Sequence, residues 1–224
     1  ASGFFRQTAG EVWQAYIEQW WRMDACYRQL HRAAAQAMKN PVAALDDELK
    51  SAVNAAEGLY KNWYLTGLER AWEQAAGSDL AAQGYVSGVD RQELFYMNEV
   101  GPLSKAGRVF VVVSDALRYE VARELADALE GQTQGKTELA SMQAVFPSIT
   151  KCGMAALLPH GNLGMQESTA GTGLCVTADG LPTASTENRQ EVLRAKSEGA
   201  VAVRYDAFMA MRKEERKQLV APAK

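Results

Sequence analysis

Two stretches of this sequence place an oxygen-bearing side chain just beyond an apolar run. Asp115 follows "VFVVV" (109–113), and Thr150 follows "MQAVF" (142–146) in "FPSITKCGMAALLPH". A carboxylate at the outer end of an apolar strand is costly unless a cation compensates it, and a hard or borderline divalent metal is the natural compensation. A hydroxyl beside a metal loses its proton more readily and becomes a nucleophile. Thr150 also stands in the first turn of a helix, where the amides of Lys151, Cys152 and Gly153 are expected to face a bound anion. Together the two residues describe a metal-activated threonine facing a phosphate or sulfate ester. The competing reading is capping: Asp115 for a helix starting at Ala116, and Ser148 or Thr150 for the helix after it. Spacing alone leaves both open. Arg118 and Lys151 are candidate anion clamps or ordinary solvated residues. Cys152 has no histidine near it in sequence and reads as a packed thiol. His160, after Pro159, is placed to reach a cleft, whereas His31 lies on a polar helix face.

The elements that must position these residues change character along the chain. Apolar residues at Val12, Tyr16, Trp20, Met23, Tyr27 and Leu30 recur every three to four positions, which predicts a helix over 11–38. Asn40-Pro41 breaks it, with Pro41 suited to a helix start. Leu45, Leu49, Val53, Ala56, Tyr60 and Trp63 predict a second helix, extending or kinking through Gly67 to Ala76. Four of the five tryptophans fall on these stretches, as packing anchors. Residues 77–90 read as a connector, and Asp90 with Glu93 as a cap for a following helix. The domain boundary is placed at 88/89, with a helical region over 1–88 and an α/β part over 89–224.

From there "RVFVVV" reads as a central parallel strand, too short for a helix and without alternation. A helix with a stripe at Leu117, Val121, Leu125, Ala128 and Leu129 follows. "ELASMQAVF" is a second strand and "TKCGMAALL" a second helix. The order implies a right-handed parallel crossover, and ligands of such sheets bind beyond the carboxyl ends of the strands. Residues 161–190 predict a long polar excursion with a short strand at "GLCVTA". The "GTG" within it lacks the surrounding Walker pattern. "NRQEVLRAKS" predicts a helix, "AVAVRY" a strand, and "DAFMAMRKEERKQL" a helix.

Composition bounds the function. The 224 residues are 47% hydrophobic and 23% charged with a net charge of −3, enough to bury a core and without global attraction to nucleic acid or an anionic membrane. No apolar run approaches the roughly 18 residues that span a bilayer. Three scattered cysteines fit a reducing cytoplasm better than a disulfide framework.

"VFVVVSDALRYEVARELADAL" followed by "MQAVFPSITKCGMAALLPH" resembles the PglZ proteins of bacteriophage exclusion (BREX) defence systems, within the alkaline phosphatase superfamily. "TADGLPTASTENRQEVL" and "AVAVRYDAFMAM" look like the family's continuation, so the resemblance covers roughly residues 90 to 220. It implies a partial alkaline-phosphatase-like parallel sheet flanked by helices. It also implies a metal-dependent phosphatase or phosphodiesterase activity in the full-length protein, acting on a phosphate ester. Asp115 is the implied metal ligand. Thr150 is the implied nucleophile and a second metal ligand, and zinc is the usual metal. Other BREX subunits, a DNA methyltransferase among them, are implied partners. The superfamily's D-x-x-x-H and D-H patterns are missing, only two histidines are present, and the sequence stops on a helix. The expectation is therefore a piece of a longer hydrolase, inactive by itself. The alternatives are a phosphatase-like scaffold that binds defence subunits without chemistry, and a doubly wound module for a nucleotide or phosphate.

Overall fold

The computed structural model describes residues 3–40, 42–167 and 173–221. Pro41 and most of "GTG" lie outside them. The chain forms two compact units, residues 1–89 with 116–141, and residues 90–115 with 142–224. The segment 116–141, which follows the sequence boundary at 88/89, groups with the N-terminal helices.

The first unit is helical. α1 (Ala9–Ala15) runs through a π-helical turn (Tyr16–Trp20) into α2 (Trp21–Ala37). α3 (Ala43–Leu59) runs through a second π turn (Tyr60–Leu65) into α4 (Thr66–Gln83), and α6 (Tyr119–Gln132) completes the unit. Thr8 starts α1 in a reciprocal cap: its Oγ1 accepts from the Glu11 amide at 3.2 Å, and Glu11 accepts from the Thr8 amide at 3.3 Å. Most of the expected stripes pack, but Leu45 and Trp63 at the two ends of the second are exposed. α2 lies against α3 and α6, and α1 against α4. Phe4, Tyr60, Tyr64 and Ala71 form the main core, with Trp20, Met23, Tyr27, Leu65 and Leu68 around it. Phe4 packs so closely on Gly67 that a Cβ there would stand 2.7 Å from the ring. No described residue of 11–75 is in a strand. The connector expected from residue 77 begins later, because α4 continues to Gln83 before Gly84, at φ 78, ends it. Ala76 and Val86 form a core patch against which Leu80 packs, and that burial outweighs the weak helix preference of Gly77 and Ser78.

The second unit is mixed helix and sheet. A 3₁₀ turn (Gln92–Leu94) and a third π turn (Tyr96–Val100) lead into α5 (Gly101–Ala106). Asp90 does not cap this helix; its carbonyl accepts from the Gln143 amide at 2.7 Å. α7 (Thr150–Ala156) is followed by a three-stranded antiparallel sheet in the order β1 (Leu163–Glu167), β2 (Leu174–Ala178), β3 (Leu181–Pro182). The excursion's expected short strand is β2. β2 and β3 pair with Ala178 opposite Leu181, so the loop is the dipeptide Asp179-Gly180, at φ 50 and 84. Both central residues at positive φ make the hairpin turn that Asp-Gly favours. α7 packs on β2 through Val145, Cys152, Ala155, Ala156 and Val176. α8 (Thr186–Lys196) packs on β3, its Val192 clustering with Ala178 of β2 and Leu158 while Leu193 and Leu181 of β3 pack against them, and α9 (Tyr205–Ala210) and α10 (Lys213–Leu219) follow.

The strands expected at 108–113, 138–146 and 200–205 form no ladder among the described residues. The one parallel bridge among the described residues joins Gln143 of the second run to Arg91, outside all three, with the Gln92 amide donating to the Gln143 carbonyl at 3.0 Å. The runs carry no regular strand, and Phe110 is 67% and Val112 85% exposed. A strand apolar on both sides needs a backbone partner on each edge and a cover on each face. No described residue supplies these to 109–113, so the apolar run is present without the burial it is written for.

Candidate active site

The structure brings Asp115 and Thr150 together. Thr150 Oγ1 lies 3.2 Å from Asp115 Oδ2 and 3.5 Å from Oδ1, with both residues exposed. The capping alternatives fail at both. The helix after Asp115 begins at Tyr119, with Arg118 at the cap position and no side-chain cap bond. Asp115 instead stands in a turn completed by Ala116 at φ 55, a left-handed conformation that costs an alanine roughly 1 kcal/mol or more. The helix carrying Thr150 has Ile149 at its cap position and again no side-chain cap bond. Neither oxygen is spent on ending a helix.

The anion cradle expected at the start of α7 is reduced. The Cys152 and Gly153 amides both donate to the Ile149 carbonyl at 3.0 Å, so two of the three expected donors are taken. Lys151 is exposed, its ammonium beside Gly173. Cys152 is buried, its Sγ 3.8 Å from Met165 Sδ, and burial pushes its thiol pKa up, as for a packed residue. His160 turns its Nδ1 to the Leu158 carbonyl at 2.7 Å. Tyr27 packs edge-on against His31.

Arg118 is committed within the first unit, to a buried polar network that the periodic reading passed over. Asp24 is 4% exposed and accepts from three phenols: Tyr60 at 2.6 Å, Tyr16 at 2.7 Å and Tyr64 at 3.2 Å. Arg118 Nη2 stands 3.6 Å from the same carboxylate, and its Nε is 3.0 Å from fully buried Glu120. Arg28 Nε lies 3.8 Å from Glu120, and neither Glu120 oxygen is in hydrogen-bonding alignment, so opposite charge compensates this carboxylate. Burial first, and the bond to Asp24 second, push the Tyr60 phenol up to about 12; burial raises Tyr16 and Tyr64 further still. The available signal was an aspartate beside Met23 on the apolar face of a helix.

A metal finds only part of a ligand shell here. Among the described residues no group of three or more His, Cys, Asp or Glu side chains is arranged to hold an ion. Asp115 and Thr150 offer oxygens from two residues, where zinc takes about four ligands. These two residues by themselves do not hold the ion.

Comparison with known proteins bears on the same part of the chain. The family model of the BREX system PglZ alkaline phosphatase-like domain matches residues 95–224. The alkaline phosphatase-like protein BrxZ of Escherichia coli O9:H4 (strain HS) is 36% identical over 222 residues, covering 97% of this chain and 25% of that protein. The alkaline phosphatase-like protein PglZ of Bacillus cereus (strain H3081.97) is 32% identical over 207 residues, covering 92% of this chain and 23% of that protein. The likeness therefore includes the N-terminal helices. The chain spans about a quarter of the length of the curated relatives it matches. No solved structure matches. No helix of the described residues is long and apolar enough to cross a membrane.

Proposed function

The chain belongs to the PglZ family of alkaline phosphatase-like BREX proteins, and on that premise we propose that it carries the nucleophile of a metal-dependent phosphatase or phosphodiesterase serving antiviral defence. The observation that carries the reading is the 3.2 Å contact between Thr150 Oγ1 and Asp115 Oδ2, with neither residue capping a helix. Asp115 accepts the Thr150 proton and so orients an oxygen lone pair outward. Oγ1 forms the new bond to phosphorus, the bond to the leaving alkoxide breaks, and the phosphoryl group rests on Thr150 until water releases it. Asp115 and Thr150 are the two ligands this chain would give to a divalent metal, zinc by family resemblance. When bound, that ion supplies positive charge against the developing phosphoryl charge.

Two residues leave the ion weakly held, so the 224-residue chain alone is expected to show no substantial turnover. A polypeptide of the relatives' length carrying this sequence is expected to hydrolyse a chromogenic phosphate diester with added zinc. It should lose that activity on Thr150→Ala or Asp115→Ala. Unchanged turnover in Thr150→Ala would remove the nucleophile assignment. Chelator-sensitive turnover by the short chain would show that two residues suffice.

The sparse donor set favours a second reading, a phosphatase-like scaffold that binds other defence subunits, a DNA methyltransferase among them, without chemistry of its own. Under it, Asp115→Ala and Thr150→Ala leave partner capture and defence intact.

A further inference from the structure

The second unit holds a cavity of about 340 Å³ that neither Asp115 nor Thr150 lines. Three parts of the unit meet there. The π turn and α5 supply Tyr96, Met97 and Lys105, the residues after α7 supply Leu158 and His160, and α8 supplies its last residue, Lys196. The volume falls in the range of small-molecule sites, about 300–1,000 Å³.

The charges around it are unequal in commitment. Glu93 lines the cavity and is paired with Arg91 at 3.2 Å, while Lys196 is paired with Asp179 at 3.3 Å. Lys105 has no ion-pair partner among the described residues. The balance of charge therefore favours an anion. His160 points its Nδ1 at the Leu158 carbonyl, so that nitrogen carries a hydrogen, and in that tautomer Nε2 is the acceptor. With the Glu93 carboxylate, this makes two acceptors suited to hydroxyl groups. The remaining wall is apolar, from Met97, Pro102, Leu158 and Pro159, with the Tyr96 ring among them.

We propose that this cavity binds a nucleoside monophosphate. The phosphate lies against Lys105 and Lys196, ribose hydroxyls donate to Glu93 and His160, and the base rests on the Tyr96 side of the apolar wall. A phosphate brings three acceptor oxygens to the ammonium groups, which suits it better to two lysines than a carboxylate. The site uses none of the residues of the proposed reaction, so it stands or falls separately from that reading.

The test is titration calorimetry of the chain with adenosine 5′-monophosphate, adenosine and inorganic phosphate, with circular dichroism to confirm that each variant is folded. The nucleotide is expected to bind more tightly than either part. Lys105→Glu should weaken it about tenfold or more, the scale of a lost charge-assisted hydrogen bond, and its exposed position spares the fold. Thr150→Ala should leave binding unchanged. Loss of binding in Thr150→Ala with Lys105→Glu unaffected would place the nucleotide at the reaction site and overturn the proposal. So would inorganic phosphate or adenosine binding as tightly as the nucleotide, or the absence of any nucleotide binding at millimolar concentration.

Discussion

Asp24 and Asp115 are the same residue in opposite surroundings. Asp24 is 4% exposed, and three phenols and a guanidinium surround its carboxylate. Asp115 is exposed, with the Thr150 hydroxyl 3.2 Å away, in a turn held partly in left-handed backbone. A buried carboxylate survives where hydrogen bonds, as at Asp24, or opposite charge, as at Glu120, compensate it. An exposed carboxylate is hydrated and needs no such enclosure. Burial, not residue type, separates the two.

Activity should show the largest contrast. In a polypeptide of the relatives' length, Asp115→Ala is expected to lower diester hydrolysis by about a thousandfold. The same change in this chain should leave its unfolding free energy in urea within about 0.5 kcal/mol of the parent. A folded, fully active Asp115→Ala protein would erase the distinction between the two aspartates. Asp24→Ala is the mirror experiment, removing the buried acceptor shared by three phenols of the first unit. A loss of about 3 kcal/mol or more in urea unfolding is expected. A loss below about 1 kcal/mol would show that the network is not what holds α2 to its neighbours.

Two glycines of α4 sharpen the packing side of the comparison. Gly67→Ala drives a methyl into Phe4 and should destabilise by about 1–3 kcal/mol. Gly77→Ala meets nothing within 4 Å and should stabilise by about 0.4–1 kcal/mol, since alanine restricts the unfolded chain and favours helix. Equal effects at both positions, read by thermal melting, would contradict the placement of Phe4.

The last test has no effect at neutral pH. Unfolded tyrosines ionise near pH 10, whereas Tyr60 is held up to about 12 and Tyr16 and Tyr64 are also raised. The folded state binds its phenolic protons more tightly. The stability linked to them is thus fully present below about pH 10 and is lost as pH rises from 10 through 12. Melting temperature should fall across that interval, and less steeply in Tyr60→Phe. A flat profile to pH 12 would argue against the buried phenols.

Much of the helical unit was legible in the sequence, because a helix joins residues three and four apart. The stripes at Val12, Tyr16, Trp20 and Met23 and at Val53, Ala56 and Tyr60 mark faces that pack in the structure. The end of α4 was less legible, since Leu80 and Val86 turn a Gly-Ser stretch helical by burial alone. The hairpin at Asp179-Gly180 was written in a dipeptide and passed over as loop.

What the sequence determined by itself is therefore local: helical faces, the residue types at 115 and 150, and runs such as 109–113 that only burial on both faces would satisfy. Tertiary structure decided which distant groups meet. Asp115 and Thr150 are 35 residues apart, and Asp24 and Tyr60 are 36 apart. Closing loops of that length depends on the packing of whole elements, which no short pattern encodes. The same dependence left 109–113 exposed, because a central strand takes its stability from neighbours outside its own sequence.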